Sequence, residues 1–164
     1  MDSNPEALTG LHHIGISVQD VNRSVAFWSA FLGVQSKWRR RLDGPYLGDL
    51  TGYQGIEIEA AFIELPNGTL LEILEYQTEA KVPNPETTAN PGNVHICLGT
   101  DDIAAVWERA IRAGARPVSP GPVAITTGPN EGTVACYLRD PDGITIELFQ
   151  LPTPEEPTGC WSPR

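Results

Sequence analysis

Four side chains in this chain of 164 residues have the types and spacing for divalent-metal chemistry: His13, Glu72, His95 and Glu147. Two imidazoles and two carboxylates suit Zn²⁺, Ni²⁺, Co²⁺, Mn²⁺ or Fe²⁺, one ion per site. Each stands in an apolar run with strand character: HIGISV, TLLEIL, NVHICL and ITIELF. A carboxylate is uncommon in such a run, because withdrawing an unpaired charge from water is costly. A bound cation removes that objection. Repetition singles these four out. His13 precedes Asp20 by seven residues and His95 precedes Asp102 by seven, while Gly68 and Gly143 each precede a glutamate by four.

These landmarks belong to an internal duplication, recurring in the same order about 75 to 82 residues apart. The elements that must position them follow from local pattern. Leu11 to Val18 alternates and is β-branched, which predicts a strand. Asp20 caps a helix with Val21, Val25, Ala26, Phe27 and Phe31 on its apolar face, and Gly33 stops it. Pro66-Asn67-Gly68 predicts a hairpin between strands at Ala60 to Leu65 and Thr69 to Tyr76. The second half copies this: a strand from Val94 to Gly99, then a helix from Asp102 to Ala113 with Ile103, Val106, Ala110 and Ile111 inward. Strands Val134 to Leu138 and Ile144 to Leu151 then flank Asp140-Pro141-Asp142-Gly143.

Side chains alternate along a strand. Ile14, Ile16 and Val18 should pack on the helices, and so should Val94, Ile96 and Leu98. His13 and His95 then face away beside small residues, and His12 falls on the helix-facing or structural side. By the same parity a substrate pocket is lined by Gly15, Ser17, Leu70, Leu74, Cys97, Thr145 and Phe149. The long Gly- and Pro-rich segments Leu42 to Gly55 and Ser119 to Gly132 are either lids or ordinary surface excursions.

The net charge of −10, from 11 basic and 21 acidic residues, argues against nucleic acid as a partner. The basic cluster Lys37-Trp38-Arg39-Arg40-Arg41 reads first as a solvated strand or loop and second as a hook for a substrate carboxylate or phosphate. No apolar run is long enough to span a membrane, and MDSNPEALTG lacks the pattern of a secretory signal, so a cytoplasmic protein is expected. Cys97, Cys136 and Cys160 show no CxxC spacing and read as reduced thiols, the first two as small core residues. One domain spans 1–164. Module one covers about 9–77, an extended linker 78–92 and module two about 93–151. A Pro-rich tail at 152–164 is expected to be disordered or draped over the surface.

The segments LTGLHHIGISVQDVNRSVAFWSAFLG, PNGTLLEILEY, GNVHICLGTDDI and RDPDGITIELFQLP resemble the vicinal oxygen chelate superfamily: glyoxalase I, methylmalonyl-CoA epimerase, extradiol dioxygenases, and fosfomycin or bleomycin resistance proteins. The resemblance covers residues 9–151. It implies an α+β fold of two tandem βαβββ modules forming a cupped mixed sheet, with helices on the outer face and the site inside. It also implies that His13, Glu72, His95 and Glu147 correspond to the metal ligands of glyoxalase I. Glu72 and Glu147 would then be the catalytic acid and base of a lyase, isomerase or epimerase working by proton transfer next to a carbonyl of a small oxygenated substrate. Two positions depart from glyoxalase I. Ser17 stands where a cation would hold the glutathione carboxylate, and Tyr76 where an asparagine is found, which speaks against glutathione. The epimerase pattern usually has an amide at the Glu72 position. The alternative is an Fe(II) dioxygenase using His13, His95 and Glu147 as a facial triad, with Glu72 against it. A metal-free binding or resistance protein ranks third. A homodimer is compatible with the sequence.

Overall fold

The structure is a computed structural model that describes residues 9–78, 81–83 and 85–152. The Pro-rich tail beyond Pro152, with Cys160, lies outside the described residues. Two similar units follow one another. The first contains β1 (His13–Ser17), α1 (Val21–Leu32), β2 (Trp38–Leu42), α2 (Pro45–Thr51), β3 (Ile58–Glu64) and β4 (Leu70–Tyr76). The second contains β5 (His95–Gly99), α3 (Ile103–Ala113), the short β6 (Arg116–Pro117) and β7 (Val123–Ala124), β8 (Val134–Arg139) and β9 (Thr145–Gln150). Each unit builds its own sheet, in the orders β1-β4-β3-β2 and β5-β9-β8-β6, with β7 also on β8. In each, the first strand runs parallel to the last and the other pairs are antiparallel. The tandem βαβββ modules are therefore present, as two sheets within the chain.

The duplication extends to how each helix is held. Asp20 accepts from the amides of Asn22 and Arg23, and Asp102 from that of Ala105. The first helical amide of α1, on Val21, donates to Glu75 at the end of β4 (2.9 Å). Its counterpart in α3, on Ile103, donates to Gln150 at the end of β9 (2.7 Å). These contacts satisfy amides that have no partner within the helix. Both helices end at glycines with positive φ, Gly33 and Gly114.

The helices α1 and α3 touch each other and lie on one face of the two sheets. The main core results, joining Val21, Phe27, Trp28 and Phe31 of α1 to Ile63, Leu71 and Ile73 of the first sheet and Leu138, Ile146 and Leu148 of the second. Several details depart from the pattern of the sequence. Trp28 is wholly buried, while Ala26 is exposed. Trp107 packs on the core, whereas Ile111 is exposed. Val94, expected inward, precedes β5 and is exposed, and Cys97, expected in the core, is also exposed. Cys136 is buried as expected. Among the described residues no helix is long and apolar enough to cross a membrane.

The turn Asp140-Pro141-Asp142-Gly143 docks the second unit on the first. Asp142 Oδ1 accepts from the Gln19 amide (2.9 Å) and from Arg23 (2.6 Å). Asp140 is fully buried and accepts from the amides of Asp142 and Ile144. Burial outweighs these donors and pushes its carboxyl up from 3.8 to about 6. The folded chain thus binds this proton more tightly than the unfolded chain. The associated stability is complete below the unfolded value and is lost as pH rises through about 6. Between about pH 5 and about pH 7.5, wild type is expected to lose about 1 kcal/mol more stability than Asp140→Asn, whatever the absolute stability of the variant. Urea unfolding at the two pH values checks this, and parallel pH profiles would contradict it.

Candidate metal site

The register places each histidine beside its glutamate. In the first sheet His13 stands opposite Leu70 and Gly15 opposite Glu72. The imidazole leans along the strand, and His13 Nε2 lies 3.2 Å from Glu72 Oε2. In the second sheet His95 stands opposite Thr145 and Cys97 opposite Glu147, with His95 Nε2 3.0 Å from Glu147 Oε2. All four lie on the sheet faces turned away from α1 and α3. The histidine side chains are 39% and 43% exposed and the glutamates 18% and 16%, so both pairs are open to an approaching ligand.

Adjacent donor atoms about 2.1 Å from one cation stand about 3 Å apart when their bonds are near right angles. The two nitrogen–oxygen separations match that spacing, and imidazole with carboxylate is a common donor set for a first-row cation. His12 presents Nδ1 to His13 Nδ1 at 2.8 Å, so one of the two rings donates and Nε2 of His13 stays turned to Glu72. His12 is exposed and belongs to the outer surroundings of this pair, not to the helix side. The chain brings the four residues together as two pairs, not as a quartet. Among the described residues no three His, Cys, Asp or Glu side chains converge closely enough to hold a metal ion.

One aromatic residue completes each pair, and neither was singled out in the sequence. Phe62 stands opposite Glu72 on β3 and meets the His13 ring edge-on at 6.3 Å between centroids. Tyr137 stands opposite Glu147 on β8 and meets His95 in the same way at 5.5 Å. They occupy duplicated positions at the same offset that links the two glutamates, which is the signal that could have found them. Beyond Phe62, Trp38 of β2 continues the aromatic row at 5.3 Å.

The remaining pocket residues divide. Leu70, Leu74 and Phe149 are half-buried, and Ser17 is exposed on β1. Thr145 is buried, with its hydroxyl engaged by Arg139 and 3.2 Å from Asn93 Oδ1. Cys97 lies by Glu147. Partial burial of its sulfur, helped by that carboxylate, pushes the thiol up to about 12, although the residue as a whole remains accessible. Burial likewise raises the Tyr137 hydroxyl, again with help from Glu147.

The unpaired edges of β1 and β5 border two cavities. One, of about 640 Å³, includes Gly15, Ser17, Tyr53, Tyr76, Lys81 and Val94. The other, of about 610 Å³, includes Leu11, Phe31, His95, Cys97, Gly99 and Arg109. Neither is lined by Glu72 or Glu147.

Of the two long segments, the first holds α2. Its Leu47 joins Ile56 and Ile58 in a second core with Leu42, Leu74 and Tyr76. Leu74 and Tyr76 share the Glu72 face of β4, so α2 forms a wall of the candidate site. Leu47→Ala should cost roughly 2–4 kcal/mol through the cavity it leaves. Hydrogen exchange should then show α2 amides losing protection before those of β3 and β4. Unchanged protection in α2 would mean that Leu47 does not hold the wall.

A model of the Glyoxalase/Bleomycin resistance protein/Dioxygenase superfamily matches residues 10–148. The uncharacterized protein YwbC of Bacillus subtilis is 35% identical over 140 residues, covering 85% of this chain and 96% of that protein. The lactoylglutathione lyase of Salmonella typhimurium is 32% identical over 147 residues, covering 85% and 91%. A 2-epi-5-epi-valiolone epimerase from Actinomyces is 25% identical over 168 residues, covering 93% and 91%. The fold matches a glyoxalase family protein from Bacillus cereus with a TM-score of 0.77 at 20% identity, covering 93% of this chain and 99% of that one.

Proposed function

The chain belongs to the Glyoxalase/Bleomycin resistance protein/Dioxygenase superfamily, and on that premise we propose that it is a divalent-metal-dependent lyase, isomerase or epimerase whose metal site is assembled by two copies of the chain. The observation that carries this reading is the pair of half-sites. His13 with Glu72, and His95 with Glu147, each present two donor atoms at the spacing of neighbouring ligands, on open faces of separate sheets. A homodimer that apposes the first half-site of one copy to the second half-site of the other would complete two equivalent four-ligand sites. The lyase and epimerase named among the relatives support this class of chemistry.

A cation held there supplies Lewis-acid stabilisation of the negative charge that develops on the substrate oxygens. Glu72 and Glu147 then divide the proton work. One carboxylate takes the proton from carbon next to a carbonyl, and the other returns a proton to the same or the opposite face. Phe62 and Tyr137 pack beside the imidazoles and limit water around them. The test is a panel of small α-oxygenated carbonyl compounds incubated in deuterated buffer with metal-loaded protein, with and without oxygen. Anaerobic incorporation of solvent deuterium at carbon next to the carbonyl is expected. Turnover that consumes oxygen stoichiometrically and requires Fe(II) would replace this reading with ring-cleaving dioxygenase chemistry.

A further inference from the structure

We propose that Arg40, seated over Trp38, anchors an anionic group, a carboxylate or phosphate, at the far end of the substrate. This rests on the metal-site reading above and adds the substrate's charge and span. The pairing of strands defines the geometry. One cross-strand row of the first sheet runs Gly15, Glu72, Phe62, Trp38; the next runs Ser17, Leu74, Ala60, Arg40. Alternation therefore puts Arg40 on the same face as Glu72, two strands across and one row along. Ala60 beside it is fully buried beneath its neighbours. The wall made by α2 bounds this face on one side and the aromatic row Trp38–Phe62 on the other.

Charge accounting isolates this arginine. Among the described residues, Lys37, Lys81, Arg23, Arg41, Arg112 and Arg116 are paired with carboxylates. Arg109 and Arg139 are taken by backbone carbonyls. Arg39 points to the opposite face, into a surface depression with Glu57, Glu59 and Glu75. Arg40 has no carboxylate partner; its guanidinium instead lies 5.1 Å from the centre of the Trp38 ring. Stacking orders the guanidinium while leaving its donors along the edge free for a planar oxyanion. In a protein of net charge −10, an unpaired cation on the candidate-site face is the feature that would favour an anionic ligand there. Two strand spacings place the guanidinium on the order of 10 Å from Glu72. The inferred substrate thus carries its metal-binding oxygens at one end and its anion at the other.

The test uses matched chelators on the full-length protein. Suberic acid monohydroxamate carries a hydroxamate for the metal and a carboxylate at a reach of about this span; its terminal amide is the neutral control. Both are titrated into Mn²⁺-loaded and metal-free protein by calorimetry. Wild type should prefer the carboxylate form about tenfold, the scale of one charge-assisted, partly screened hydrogen-bond pair. Arg40→Gln should bring the ratio to about one without weakening the amide, and Arg40→Lys should keep part of it. A ratio that survives Arg40→Gln overturns the proposal. Dependence of both ligands on Mn²⁺ separately tests the metal reading, because the Arg40-dependent ratio should persist in metal-free protein even if that dependence is absent. A phosphonate-ended chelator tells the two anions apart: a larger Arg40-dependent ratio than the carboxylate's points to a phosphate on the natural ligand, a smaller one to a carboxylate.

Discussion

Glu147→Gln and Glu72→Gln are each expected to lower turnover by roughly 10²–10⁴-fold, the usual effect of deleting a positioned acid or base. Glutamine keeps the length of the side chain and one carbonyl oxygen but cannot take up a proton at neutral pH. Each carboxylate lies beside an imidazole, Glu72 3.2 Å from His13 and Glu147 3.0 Å from His95, so the substitution also leaves that imidazole a neighbour to bond with. The two variants should separate the two proton steps. The variant lacking the base should stop both product formation and exchange of the carbon-bound proton with solvent. The variant lacking only the returning acid should still wash that proton out while forming product slowly. Metal content measured alongside distinguishes a lost proton carrier from a lost ligand. Near-wild-type turnover in both glutamine variants would remove the carboxylates from the chemistry and leave them as ligands alone.

Much of this arrangement was legible in the sequence, for a definite reason. Duplicated landmarks mark positions where burial alone does not explain a polar residue, and Glu72 and Glu147 in LLEIL and TIELF are such positions. The two helices, their aspartate caps and their glycine stops followed from local chemistry. Phe62 and Tyr137 were passed over because an aromatic residue in a strand reads as core, although the duplication offset pairs them. The helix α2 was hidden for another reason. PYLGDLT is short, has no side-chain cap and carries Gly48 in its middle, a poor helix former. A Cβ there would lie 2.7 Å from Gln54 Oε1, the end of an exposed side chain that can swing aside, so packing does not demand the glycine. Val94 was misplaced because apolar character was taken as burial, when it precedes β5 and is exposed. The reading of Cys97 as a core residue failed for the same reason, although strand parity puts it on the open face. Least legible was the separation of the two half-sites. Strand parity tells which face a histidine occupies but not how two sheets are set against each other, and that is decided here by the contact of α1 with α3.

Removing either imidazole should be as damaging to metal binding as removing a carboxylate is to turnover. His13→Ala and His95→Ala are each expected to weaken the divalent ion by about 100-fold or more, since each deletes a direct ligand from a four-ligand site. Neither change should unfold the chain, because both rings are more than a third exposed and outside both cores. The most direct test of the shared site is to mix these two inactive variants in equal amounts, allow subunit exchange, and measure bound metal. In a mixed dimer one site carries both substitutions and the other carries neither, so one intact site per mixed dimer is recovered. With random exchange half of the dimers are mixed, and metal binding should return to about one quarter of the wild-type number of sites. No recovery after verified exchange would mean that all four ligands of a site come from the same chain, contradicting the assembly proposed here.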